Sequence, residues 1–294
     1  MTFVDRVAGY VPMHNNRFRQ VVLLVAVFAL VAGIYFSFRS QPDLFRDARL
    51  LPIVILALFA VPVTIYFNAL EFVLSGRLLG YNVGLKSAAE TSVIGGVANM
   101  LPLPGGVLVR VAALKAEGAS VAKSTSVIAF VAFIWAAISF GYSGAWLLFG
   151  GATVFGLSFI ALGCMGIIGC FAVSMHLLDD HIITAQLFAC KAGLVLVDAF
   201  RLYLCLLALN VPAEFGQASV LTVSGFVGSS FSIVPAGLGI REGVSALLGP
   251  LVGLTAAAAF LASAANRIIG LMVSAPIAGL LAWKAGHRAK IGAV

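Results

Sequence analysis

Apolar runs as long as a bilayer is thick dominate this chain. Two of them, Val121 to Leu148 and Ala152 to Leu177, contain a single charged residue between them, Lys123. A membrane-spanning helix needs about 20 such residues, whereas an average soluble domain has about 25% charged residues. The whole chain is 62% hydrophobic and only 10% charged, so water could not solvate its folded surface. The sequence therefore predicts an all-α polytopic membrane protein and excludes a soluble enzyme.

The hydropathy pattern predicts about six spanning helices and two irregular segments. The irregular segments are apolar but rich in Gly, Ser and Pro, and each ends in a Pro-containing turn that should break a helix. The predicted spans are 21–38, 51–74, 121–148, 152–177, 184–209 and 255–283, and the irregular segments are 85–103 and 217–234.

The two irregular segments correspond to each other. A shift of 131 positions places Pro-Gly-Gly at 104–106 on Pro-Ala-Gly at 235–237, and it places Arg110 on Arg241. We expect each segment to form a re-entrant, broken hairpin that enters and leaves the membrane by one face. Three true spans then separate the start of one copy from the start of the next. This odd number inverts the second copy, as in transporters built from inverted repeats.

This reasoning predicts an organisation in two halves. The expected parts are a cytoplasmic N-terminal segment (1–20), a signal-anchor span with an outer loop (21–50), a first repeat of span, hairpin and span (51–150), a connecting span (151–181), a second repeat (182–284) and a basic cytoplasmic tail (285–294).

The distribution of basic residues predicts the orientation. The net charge is +7, and cytoplasmic loops carry an excess of Lys and Arg. With both termini in the cytoplasm, most loop Lys and Arg fall inside. Arg241 and the three arginines of the first outer loop, Arg39, Arg46 and Arg49, fall outside. The basic residues are scattered singly, which argues against a nucleic-acid partner. The four cysteines lie in apolar runs without zinc-site spacing or a disulfide framework.

Charged residues inside predicted spans are the first candidates for function, because each costs about 2.5 to 3.5 kcal/mol to insert. Asp198 and Arg201 share one helix face, so they either neutralise each other or contact a substrate. Arg267 has no acidic neighbour within its own span, and Glu242 or an anionic substrate could pair with it. Arg241 and Glu242 could also form a local pair at a helix start.

The Pro-containing turns offer a second kind of candidate. A broken helix exposes backbone N–H groups at the start of its second half, where the helix dipole is positive. With an Arg six residues after each Pro, this is typical of a phosphate-binding corner, although Gly in membrane helices also serves close packing. The candidate substrate-binding residues are Glu90, Pro104, Gly105, Gly106, Arg110, Asp198, Arg201, Pro235, Gly237, Gly239, Arg241, Glu242 and Arg267.

Signals for catalysis are sparse. No HExxH, GxSxG or GxxxxGKS/T pattern occurs, and the four histidines lie at predicted span ends or tails. We therefore expect no catalytic residue, no metal site and no cofactor.

The motifs resemble those of a known family. The sequence SIVPAGLGIRE, Ser232 to Glu242, resembles the PGGLGxRE signature of the transmembrane, flippase-like family of lysylphosphatidylglycerol synthases, with Ala236 replacing the middle glycine. Arg267 falls where that family has an Arg in its last long helix, and Pro104 through Arg110 resembles its first-half motif. The resemblance covers residues 51–283. The family often carries further charged residues after its first motif, whereas Val127 to Trp135 is wholly apolar here.

The resemblance implies a stand-alone member in the bacterial inner membrane, with the lipid-translocating part and no aminoacyl-transferase domain. We expect a lipid flippase or lipid-binding transporter for an amphiphile with a polar or anionic head group. The alternatives are a membrane-embedded transferase with Asp198, Glu90 or Glu242 as base, and a non-transporting scaffold in envelope-lipid metabolism. The expected partners are a membrane lipid as substrate and either a second copy of the chain or a lipid-synthesising enzyme.

Overall fold

The computed structural model describes residues 16–41, 44, 48–99, 104–177, 180–230 and 237–291, and these residues form helices and connecting turns without a strand. The predicted all-α class is confirmed. The helices are α1 (Asn16–Ser40), α2 (Leu50–Leu78), α3 (Leu85–Ala98), α4 (Gly105–Ala116), α5 (Val121–Phe149), α6 (Thr153–Leu177), α7 (His181–Ala208), α8 (Phe215–Val220), α9 (Val223–Ser230), α10 (Ile240–Leu248) and α11 (Ala256–Ile291).

Five helices in the described part of the chain are long and apolar enough to cross a membrane: α2, α5, α6, α7 and α11. They coincide with five of the predicted spans. The remaining predicted span, 21–38, falls within α1, which is not among these five. A multi-pass membrane protein is therefore supported, and the total of six spans stays a prediction.

Polar side chains fix where two of the long helices begin. Ser120 precedes α5, and its hydroxyl accepts the N–H of Lys123 at 3.3 Å. Asp180 precedes α7, and its carboxylate accepts the N–H groups of Ile182 and Ile183 at 3.0 Å each. Such caps satisfy backbone donors that have no partner within the helix.

The first irregular segment is broken where the sequence predicts a break. Helix α3 ends at Ala98 and α4 begins at Gly105. A side chain at Gly105 would collide with the Ala98 carbonyl, so only glycine allows this approach. The N–H of Gly106 donates to Asn99 Oδ1 at 2.7 Å, which ties the start of α4 to the end of α3.

The second irregular segment is more broken than predicted. Where the sequence predicts one apolar segment over 217–234, the structure has α8 and α9 separated by a turn. The hydroxyls of Thr222 and Ser224 donate to the carbonyls of Ser219 and Leu221 at 2.8 and 2.6 Å. Such bonds compete with regular helix geometry and accompany the extra turn.

Helices α2 and α7 contact each other and run antiparallel. The N–H of Arg49, just before α2, donates to the carbonyl of Ala208 at the end of α7 at 2.8 Å. Further along α2, the carbonyl of Phe67 lies 3.3 Å from the thiol of Cys190, early in α7. These helices open the two predicted repeats, and antiparallel contact is what an inverted repeat requires. The repeat boundaries themselves stay a prediction.

The largest buried apolar cluster lies where α7 packs against α8 and α11. It includes Leu202, Leu206, Leu221 and Ala262. This core packs α7, which carries several of the candidate charged residues, against the second hairpin (α8 to α10) and the last long helix.

Helices α5 and α6 approach closely through glycines. A Cβ atom added at Gly163 would lie 2.6 Å from the backbone nitrogen of Gly141, and one added at Gly144 would lie 2.7 Å from that of Ile160. Small residues allow such backbone contact between membrane helices, where no hydrophobic effect drives association.

Gly163→Ala should therefore lower the free energy of unfolding by about 1–3 kcal/mol, because the new methyl group meets rigid backbone. Thermal unfolding in detergent micelles measures the change. Gly169→Ala is the matched control, since a Cβ atom there meets nothing within 4 Å. Equal melting temperatures for the two variants would contradict the close packing of α5 and α6.

Candidate functional site

A buried carboxylate on α2 holds two cations from other helices. The side chain of Glu71 is 1% exposed; its Oε1 lies 2.6 Å from Arg110 Nη1 on α4, and its Oε2 lies 2.5 Å from Lys191 Nζ on α7. We call Glu71, Arg110 and Lys191 the first-half cluster. It joins the first hairpin to the crossing of α2 and α7.

Two further side chains complete the surroundings of the first-half cluster. Arg110 Nη2 donates to Asn68 Oδ1 at 3.3 Å, and Lys191 Nζ lies 5.3 Å from the ring centre of Trp135 on α5. A cation over an indole ring is attracted by the ring quadrupole. The apolar stretch Val127 to Trp135 thus contributes to a polar site after all, through an aromatic ring rather than a charge.

A second carboxylate, Asp198 on α7, meets the second hairpin and the last helix. Both of its oxygens lie 3.3 Å from Arg241 Nη2 on α10. Asn266 Nδ2 on α11 donates to Asp198 Oδ1 at 3.1 Å. The side chains of Asp198 and Arg241 remain 24% and 18% exposed, so this pair is accessible from outside the core.

The neighbouring pair is buried more deeply. Glu242 Oε1 lies 2.8 Å from Arg267 Nη2, and their side chains are 0% and 8% exposed. Glu242 Oε2 also accepts the N–H of Gly239 at 2.8 Å, which closes the turn into α10. Of the partners considered for Arg267, Glu242 is therefore the one seen. The local pair of Arg241 with Glu242 is wrong, because these consecutive residues point to different partners.

Arg201 and Asp198 share a helix face but are not among the ion pairs within 4 Å that the described residues form. The long side chain of Arg201 reaches across to α2 and α11 instead, and donates to Thr64 Oγ1 and to the carbonyl of Asn266 at 3.2 Å each. Buried Nε atoms of Arg201 and Arg241 have no hydrogen-bond acceptor among the described residues. An unsatisfied buried donor costs about 1–3 kcal/mol, so these atoms indicate where an acceptor could bind.

We call Asp198, Arg201, Arg241, Glu242 and Arg267 the second-half cluster. It contains three guanidinium groups and two carboxylates, and the first-half cluster contains two cations and one carboxylate. Each cluster therefore contains one more positive charge than negative charges.

The glycines of the second hairpin make room for this arrangement. Gly237 and Gly239 have φ of 64° and 81°, a left-handed conformation that glycine adopts without strain. A Cβ atom added at Gly228 would lie 2.8 Å from Arg241 Cβ, and one added at Gly225 would lie 3.3 Å from Asp198 Oδ2. Glycine at these positions lets α9 approach the Asp198–Arg241 pair.

The remaining candidates belong to neither cluster or lie outside the described residues. Glu90 is half-buried on α3 and takes part in none of the ion pairs between described residues. Pro104 precedes α4 and is exposed. The N–H groups of Gly106 and Gly239 bind Asn99 and Glu242 within the hairpins, and Pro235 lies outside the described residues. A direct role for these residues in substrate binding stays a prediction.

Glu71 and Lys191 also lie inside predicted spans, but they are not among the candidate site residues predicted from the sequence. The signal was available: Glu71 precedes Arg110 by 39 residues, much as Asp198 precedes Arg241 by 43. A shift of 127 positions places Glu71 on Asp198 and Thr64 on Lys191. The hairpin shift of 131 differs by a few residues, which hid this correspondence.

Comparison with known families decides the relationship of the chain. Residues 20–277 match the model of the lysylphosphatidylglycerol synthase transmembrane region. The chain belongs to this family. Membership supports a membrane protein of lipid metabolism or transport, as the motifs predicted. No curated protein matches the chain.

Glu71→Gln should destabilise the protein by about 3–5 kcal/mol, because it leaves the buried Lys191 and the half-buried Arg110 without their carboxylate. Thermal unfolding in micelles measures the loss. Glu90→Gln should change stability little, since Glu90 is half-buried and lies outside both clusters. If Glu71→Gln unfolds like the Glu90 control, the first-half cluster does not hold the helices together.

Proposed function

We propose that the protein moves an amphiphile with an anionic head group across the bacterial cytoplasmic membrane. The observation that carries this proposal is the positive charge left over in both clusters. Buried charge in a membrane protein is expensive, and in transporters it marks a substrate path. An anionic head group would neutralise the excess, whereas a neutral or cationic one would not.

The second-half cluster supplies a suitable place for such a head group. Arg201 and Arg241 have buried Nε donors without an acceptor among the described residues, and a phosphate oxygen accepts from guanidinium groups in well-matched geometry. Gly225 carries no side chain that would crowd Asp198 and Arg241. The head group would bind here and the acyl chains would stay in the surrounding lipid.

The antiparallel crossing of α2 and α7 supports transport rather than binding alone. In transporters with inverted repeats, the substrate site lies near the membrane midplane between the halves, and each half can open to a different side. Both clusters lie along this crossing. The sequence carries no nucleotide-binding motif, so we propose that a gradient, the membrane potential or consumption of the lipid drives net movement.

The carboxylates support this role better than a transferase. A general base must reach a substrate proton, whereas Asp198 and Glu242 are already engaged by Arg241 and Arg267 at 3.3 and 2.8 Å. We propose that these carboxylates hold the arginines in place for a head group. We further propose that both termini lie in the cytoplasm, with a second copy or a lipid-synthesising enzyme as partner.

Arg201→Gln should slow lipid transport about tenfold or more, since a hydrogen bond from a charged donor contributes about 1.5–3 kcal/mol. This variant leaves no carboxylate unpaired, because Arg201 donates to a hydroxyl and a carbonyl. Protein in vesicles, a fluorescent phosphatidylglycerol and a membrane-impermeant reductant that quenches only the outer leaflet measure the rate.

Lys123→Gln is the matched control, because this exposed residue at the start of α5 lies outside both clusters. Its transport rate should equal that of the unmodified protein. Vesicles in which the unmodified protein moves no lipid faster than protein-free vesicles would contradict the proposed function. Equal transport rates for Arg201→Gln and the control would show that Arg201 does not contribute to lipid transport.

A further inference from the structure

We propose that a π-helical turn within α2, Leu56–Ala60, is the hinge about which the two halves of the protein move during lipid transport. This inference rests on the proposed function and deepens it, because it names the place where the chain bends. Single π-helical turns within α-helices are uncommon and often lie at functional sites.

The turn interrupts the regular hydrogen bonding of α2. The N–H of Val61 donates to the carbonyl of Leu56, five residues earlier rather than four. Pro62 follows, has no N–H to donate, and crowds the preceding turn with its ring. The carbonyl of Ala60 accepts the hydroxyl of Thr64 at 2.9 Å, a side-chain bond of a kind that often bends helices. Three recognised causes of a kink therefore coincide at residues 56–64.

The turn also lies where α2 passes from one apolar core to another. Leu56 and Ala60 belong to the large core that includes residues of α7, α8 and α11. Further along α2, Ala69 and Phe72 belong to a separate core with residues of α3 and α4. A bend at the turn would therefore move the first hairpin relative to the second hairpin and leave both cores intact.

The outer side of the turn faces lipid. Leu58 and Phe59 are 65% and 66% exposed, and Pro62 is exposed as well. Exposed apolar side chains on a spanning helix contact fluid acyl chains, so the turn can change shape on this side without displacing a packed helix.

Helix α7 has a weak position at the same boundary between cores. Its residues Leu187 and Cys190 belong to a core with α5, whereas Leu202 belongs to the large core. Gly193 lies between them, and a Cβ atom there would lie 2.6 Å from the ring of Phe67 on α2. Glycine lowers the stability of a helix interior, so α7 can follow a bend in its antiparallel neighbour.

Thr64 connects the turn to the second-half cluster. Its hydroxyl donates to the carbonyl of Ala60 at the end of the turn and accepts from Arg201 Nη1 at 3.2 Å. A head group that accepts from Arg201 would weaken the contact with Thr64. Binding of lipid and bending of α2 would then be coupled through one side chain.

Pro62→Ala tests the hinge, because it supplies the missing N–H at a lipid-facing position outside both clusters. The added hydrogen bond favours a straight helix, so transport of fluorescent phosphatidylglycerol in vesicles should slow about two- to tenfold, the range that one hydrogen bond contributes. The melting temperature in micelles and the phosphatidylglycerol retained in native mass spectrometry should stay equal or rise.

Pro276→Ala is the matched control. Pro276 is also an exposed proline inside a spanning helix, α11, but it lies away from the π-helical turn. Its replacement should leave the transport rate unchanged.

Hydrogen–deuterium exchange measures the bending directly. Amides 57–61 should exchange about tenfold faster than amides 196–200, which lie at a similar depth in the antiparallel helix α7. Pro62→Ala should remove most of this difference. Deletion of Phe59 takes one residue out of the π-helical turn and restores α-helical spacing, so it should have the same effect.

Several results would overturn the hinge. Equal exchange of the two segments, or equal transport by Pro62→Ala and the unmodified protein, would do so and leave the proposed function standing. Slower transport accompanied by a lower melting temperature or by lost lipid binding would show that Pro62 acts on folding alone. Equal slowing by Pro276→Ala would show a general effect of proline. If the unmodified protein moves no phosphatidylglycerol, the proposed function fails, and the role of the hinge in transport fails with it.

Discussion

The pairing of buried charges is the interaction on which the rest of the structure depends. A lone charge in the membrane interior is costly, so Glu71, Asp198 and Glu242 each determine which helices must meet. Glu71 draws α4 and α7 to α2, and Asp198 draws α10 to α7. Glu242 draws α11 to α10. The hairpins are thus fixed to the spanning helices by ion pairs within an otherwise apolar protein.

Glycine allows these ion pairs to form. The turn at Gly237 and Gly239 has backbone angles that favour glycine, and side chains at Gly225 or Gly228 would crowd Asp198 or Arg241. In the first hairpin, Gly105 lies against the carbonyl of Ala98. Gly105 and Gly237 therefore contribute to the clusters indirectly: each lies at a close approach of the backbone, and the arginine that follows, Arg110 or Arg241, reaches a carboxylate on a spanning helix.

Much of this arrangement could be predicted from the sequence, and the rest depended on side-chain reach. Apolar length predicted the spans, and the Pro-Gly turns predicted the breaks, because both are local properties. The hydrogen bond from Arg201 to Thr64 could not be predicted, since helix spacing relates Arg201 only to Asp198 while its flexible side chain reaches a residue on another helix. The contact between Lys191 and Trp135 could not be predicted from sequence spacing, because it depends on how α7 packs against α5.

The central claim is that uncompensated positive charge in the membrane interior recruits an anionic lipid head group. Lipid exchange followed by native mass spectrometry tests it directly, with the purified protein offered phosphatidylglycerol and phosphatidylethanolamine of identical chain length in equal amounts. The account predicts selective retention of phosphatidylglycerol, with a preference that falls as ionic strength rises. Equal retention of the two lipids at low ionic strength would contradict it.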